Sequence, residues 1–140
     1  MNAKVLIAAV AGTVVSFLLG WLVFGMLLAD FYKENMGSAT GVMKEPPLMW
    51  AIALSSFFWS LTYALIFHKW AGIKTLAAGA TAGAWLTLLI AASFDFNLFG
   101  TTNIIGNLKA VAVDLVVNTA IGAIIGAVIG LVLGMGKKEG

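Results

Sequence analysis

Residues 110–136 read AVAVDLVVNTAIGAIIGAVIGLVLGMG, and this stretch decides the fold. Its only charge is Asp114, in a run longer than the about 20 apolar residues that cross a hydrocarbon core at about 1.5 Å rise each. Four glycines fall in strict four-residue register: Gly122, Gly126, Gly130 and Gly134. Glycine inside a helix costs about 1 kcal/mol against alanine. Four of them on one line therefore mark a ridge where another backbone is expected to come close, since helices in lipid associate through small residues that allow tight approach. The same step taken backwards reaches Asn118 and then Asp114. Each step drifts by about 40°, so the six positions form one slowly winding stripe. The two most polar groups of this helix are thus expected on its protein-facing side, with Leu115, Ile125, Val128 and Val132 nearer lipid.

Three further stretches have the same character: 5–29 and 48–67, both uncharged, and 75–94, which stops just before Asp95. Apolar residues make up 61% of the 140-residue chain and charged residues 10%, with a mean hydropathy of +1.03 and no cysteine. Soluble domains carry roughly 25% charged residues. This composition excludes a soluble enzyme, a secreted disulfide scaffold and a disordered tail. The expected fold is all-α: an integral membrane bundle of four antiparallel transmembrane helices, forming a single transmembrane domain over 1–140. The first run is too long for a signal peptide, whose apolar region is about 7–15 residues, and reads as a true span.

Breakers separate the spans. Gly37, Gly41 and the Pro46-Pro47 pair stop any helix across 30–47, where a short amphipathic piece is expected at 31–36. His68 to Gly72 makes a tight connection, which sets the second and third helices antiparallel. Residues 94–109, with Asp95, Asn97, Gly100, Asn103, Gly106 and Asn107, read as a polar connection whose Phe94, Phe96, Phe99, Ile104 and Ile105 dip into the interface. An even number of spans puts Lys4, Lys69, Lys74, Lys137 and Lys138 on one side and Lys33, Lys44 and Lys109 on the other. The lysine excess favours both termini in the cytoplasm.

Each remaining span also has a small-residue line: Ala8, Gly12, Ser16 and Gly20 in the first; Ser56, Ser60 and Ala64 in the second; Thr75, Gly79, Gly83, Thr87 and Ala91 in the third. The last-helix ridge has three readings: packing within one bundle, self-association through that helix, and the lining of a transport path.

Asp114 leads the candidate chemistry, because an intramembrane carboxylate is costly and a functional candidate by default. It lies about 7.5 Å along the axis from Lys109. It reads either as a structural acid bonded to a neighbour such as Asn118, or as a group that binds a proton or cation. Asp95 reads as a solvated loop charge, with partnership to Asp114 as the alternative. His68, beside Lys69 and Trp70, reads as an interfacial anchor. One histidine and no cysteine supply neither metal ligands nor a haem pair nor a catalytic base. No catalytic, cofactor or metal residue is therefore assigned. Trp50 and Trp70 bracket the second span as interfacial tryptophans do. Trp21, Trp59 and Trp85 pack in the bundle or touch lipid, or else line an aromatic cavity near Tyr63. The lysines are scattered at span ends, where they serve topology and lipid headgroups rather than nucleic acid.

The first span holds Gly20-Trp21-Leu22-Val23-Phe24-Gly25, followed by an aromatic, charged, glycine-containing loop. This motif and the four-span layout resemble a family of small, uncharacterised bacterial four-helix membrane proteins. The resemblance implies the fold and transfers no functional residue. The expected role is a non-enzymatic structural or accessory membrane protein, packing through its glycine and small-residue ridges with itself as a homo-oligomer or with a larger membrane complex. The alternative is a small oligomeric ion or small-molecule transporter using Asp114.

Overall fold

A computed structural model describes residues 2–136, and all the regular structure among them is helical. The helices are α1 (Ala3–Leu22), α2 (Ala29–Asn35), α3 (Met49–Leu65), α4 (Leu76–Thr101) and α5 (Leu108–Gly134). Single π-helical turns, Val23–Leu27 and Ile66–Ala71, continue α1 and α3. Four segments are thus long and apolar enough to cross a membrane: Ala3–Leu27, Met49–Ala71, Leu76–Thr101 and Leu108–Gly134. The chain is a multi-pass helical bundle of the membrane type.

Side chains cap the starts of three spans. Asn2 accepts from the Lys4 amide, Thr75 from Ala78 and Asn107 from Ala110, each satisfying an amide that the first turn leaves open. Gly72 ends the π turn after α3 at φ 61, a left-handed conformation that glycine adopts at no steric cost. Span hydroxyls bond back to their own helices, as Thr13 does to the Ala9 carbonyl and Thr119 to that of Leu115.

The closest packing joins α4 and α5. A Cβ on Gly79 would land on the carbonyl oxygen of Gly126, one on Gly83 on that of Gly122, and one on Gly130 on that of Thr75. As the number rises on one helix it falls on the other, so the pair is antiparallel with the two small-residue lines face to face. Gly134 sits against Lys74 in the same way.

On its other flank α5 meets α1 and α3. Ile125, Ile129 and Leu133 are buried among Val5, Ala8, Ala9, Tyr63, Ala64 and Phe67. Ile125, expected nearer lipid, keeps only 2% of its exposure. The reason is that α5 is central and covered on two flanks. A ladder of Trp59, Tyr63 and Phe67 runs down α3 into its π turn, with ring centroids 5.4 and 5.9 Å apart, the first pair tilted and the second stacked, and the Tyr63 hydroxyl bonds to Thr87 on α4. The outer flanks carry Val14, Leu18, Trp85, Leu89 and Val116, all exposed, as a hydrocarbon solvent permits. Trp50 and Trp70 stand exposed at opposite ends of the α3 span.

Two expected boundaries move. The third span does not stop before Asp95 but runs to Thr101, so Asp95, Asn97 and Gly100 are helical and not part of a loop. The second runs through the π turn to Ala71. The true connection after α4 is short, and it pairs with the chain leaving α2. Met36 and Ile105 form an antiparallel bridge, the Gly37 amide donates to the Ile104 carbonyl, and the Gly106 amide donates to that of Asn35. Only glycine fits at Gly37, where a Cβ would collide with the Asn103 carbonyl. This pairing makes a cap across one end of the bundle.

Candidate functional site

Beneath the cap, three elements bring polar groups together. Asp114 lies on the second turn of α5 and is half-buried. The Tyr32 hydroxyl, from α2, donates to its Oδ1 at 2.5 Å. Asn118, one turn further along α5, donates from Nδ2 to its Oδ2 at 2.8 Å and to its backbone carbonyl at 2.9 Å. Asp95 approaches from α4, its carboxyl group within hydrogen-bonding reach of Asp114. Asp95 keeps 9% of its exposure, and its Oδ2 has no hydrogen-bond partner. A carboxylate only accepts, so two such groups can bond to each other only with a proton between them. Burial first, then the bond to Asp114, then the nearby charges of Asp114 and Asp95 push the Tyr32 phenol well above its usual range. Tyr32 therefore stays a neutral donor.

The sequence pattern linked Asp114 with Asn118, and the structure brings both together. Asp95 is not the solvated loop charge expected of it. It was misplaced because a charge was read as the end of a span. The signal that would have found it lies in the two ridges. Gly83 faces Gly122 and Thr87 lies against Gly122, so continuing the antiparallel register sets Asp95 about one turn from Asp114. Tyr32 had no such signal.

Two cavities meet at this site. The smaller, about 330 Å³, is lined by Tyr32, Asn35, Asp95 and Asp114, with Ile104 and Ile105 of the cap. The larger, about 640 Å³, lies between α1, α3 and α5 and is lined by Ser16, Trp21, Trp59, Thr87 and Asn118 among other residues. Phe24 and Met43 line both. Asn118 faces the larger cavity while bonded to the carboxylate that faces the smaller one.

The predicted packing residues divide. Gly79, Gly83, Gly122, Gly126, Gly130 and Gly134 all sit in the α4–α5 seam, and Gly12 packs on Ile129 and Ser60. Ser16 lines the larger cavity. Gly20 departs from the expectation of close packing: nothing lies within 4 Å of where its Cβ would be, because α1 diverges there and its small-residue line becomes cavity wall. Among the described residues no three His, Asp or Glu groups gather as a metal site.

No protein-family model, curated protein or solved structure matches the chain. Its class is therefore defined by fold and site alone: a four-span helical membrane protein with a carboxyl pair, one member buried and one half-buried, under a loop cap.

Proposed function

We propose that this protein is a small ion-coupled carrier in a bacterial inner membrane, with both termini in the cytoplasm and Asp114 as its ion-binding group. The observation that carries this reading is the second carboxylate. Asp95 is buried against Asp114 and lines the smaller cavity, its Oδ2 is buried without a hydrogen-bond partner, and among the described residues no lysine lines that cavity. A purely structural acid would have its oxygens satisfied, because a buried polar atom left without a partner costs about 1–3 kcal/mol. Here Tyr32 and Asn118 hold Asp114 in place, while one oxygen of Asp95 has no partner. Intramembrane carboxylates that face a cavity are the usual material of ion paths.

The accessory reading, in which the chain packs through its ridges with itself or a larger complex, draws less support. Gly122, Gly126 and Gly130, the middle of the α5 ridge, are buried against α4 of the same chain. The test is proton or sodium flux into liposomes containing the purified protein. Flux that falls to the protein-free level in Asp114→Asn supports the carrier. Wild-type flux at that level, or an unaffected variant, refutes it.

A further inference from the structure

We infer that the molecule carried is a lipophilic organic cation with one protonated amine, its ammonium seated between Asp95 and Asp114 and its apolar body in the larger cavity. This rests on the carrier reading above and adds the class of substrate. Three independent features point the same way.

The first is charge. Among the described residues, Asp95 and Asp114 carry the only carboxyl groups on either cavity wall, and no lysine lines either one. Lys109, the nearest along α5, is directed instead over the Phe31 ring at 5.8 Å. Tyr32 faces the pair as a neutral donor. The second is bonding capacity. Asp114 already accepts from Tyr32 and Asn118, but a carboxylate has about four lone-pair sites, and Asp95 Oδ2 has none of its capacity used. An alkylammonium brings up to three donors and satisfies both groups. With it in place both carboxylates can be charged together, and any proton held by the pair returns to water.

The third feature is the neighbouring space. An inorganic ion would use only the smaller cavity. The larger one, about 640 Å³, falls within the range of about 300–1,000 Å³ typical of small-molecule sites. Its wall is mainly apolar, with the rings of Trp21, Phe24 and Trp59, whose faces also attract cations. Phe24, Met43 and Asn118 join it to the acidic end. A charged head and an apolar tail are thereby given adjoining compartments.

The probe is 2-(naphthalen-1-yl)ethylamine, a primary ammonium on a two-ring body, with 1-ethylnaphthalene as its uncharged counterpart. Binding is measured by isothermal titration on the full chain in nanodiscs, with sodium ion alone as a third titrant. The amine is expected to bind at least about tenfold more tightly than the hydrocarbon, and Asp95→Asn and Asp114→Asn each to weaken it by about tenfold. Gly20→Leu fills the larger cavity away from the carboxyl groups and is expected to weaken the amine severalfold, which keeps the test decisive if either aspartate variant fails to fold. Equal binding of amine and hydrocarbon overturns the inference, as does amine binding unaltered in Asp95→Asn or in Gly20→Leu. If amine binding is absent while Asp114-dependent ion flux persists, the substrate class is wrong and the carrier stands. If both are absent, the carrier reading falls as well.

Discussion

Gly126→Val probes the α4–α5 seam at its centre. A Cβ at Gly126 would meet the Gly79 carbonyl oxygen and lie 2.9 Å from the Gly83 Cα, where ordinary contact begins at 3.4 Å. The helices must part by at least half an ångström there, and by more once the two γ-methyl groups are added. A gap of about 0.5–1 Å forfeits a quarter to a half of each atom-pair attraction of about 0.1–0.2 kcal/mol. Spread over the neighbouring glycine layers this comes to about 2 kcal/mol, inside the range of about 1–3 kcal/mol for overpacked sites. The better helix propensity of valine returns only about 0.3–0.5 kcal/mol. A net loss of about 1.5 kcal/mol is expected in reversible SDS unfolding in mixed micelles, followed by tryptophan fluorescence. Gly20→Ala is the control: with nothing within 4 Å of the new methyl group, it should gain up to about 1 kcal/mol from propensity alone. A Gly126→Val protein as stable as the parent, or a Gly20→Ala protein destabilised equally, would refute the packing scheme.

Tyr63→Phe removes the hydroxyl bonded to Thr87 and should cost about 0.5–1.5 kcal/mol in the same assay, with a shift in the emission of the adjacent Trp59. Gly37→Val should break the cap by driving a side chain into the Asn103 carbonyl, and hydrogen exchange at the Gly37 and Ala39 amides should accelerate at least tenfold. The raised Tyr32 phenol has a signed consequence at high pH. Its proton is held more tightly in the folded chain than in the unfolded one, so its contribution to stability is intact below about pH 10 and is lost as pH rises towards the raised value. The fall in unfolding midpoint between pH 10 and 11 should be shallower in Tyr32→Phe; equal slopes would contradict this.

Much of the fold could be read from the sequence because lipid imposes long, nearly uncharged helices, and these stand out at 5–29 and 110–136 with no knowledge of tertiary contacts. The glycine register of α5 was equally plain, since only close approach explains four glycines on one line. The ends were harder to place. Asp95 was taken as the close of a span, yet its helix continues to Thr101, because Asp95 lies against protein and not lipid. Ile125 was assigned to lipid on the assumption that a helix has one covered flank, and α5 has two. Gly20 and Gly126 have the same local spacing, and only the path of α1 separates a wall residue from a packing residue. Tyr32 and Asp114 are 82 positions apart, a pairing no local pattern encodes.

The seam between α4 and α5 joins neighbours in the chain, linked by one short turn, whereas α1 reaches α5 across about a hundred residues of intervening sequence. Local contacts close quickly and distant ones wait for chain entropy to be overcome. The second half of the polypeptide thus holds both carboxyl groups on one pair of locally joined helices, Asp95 on α4 and Asp114 on α5. Tyr32, the donor to Asp114, reaches that pair from the other half of the chain.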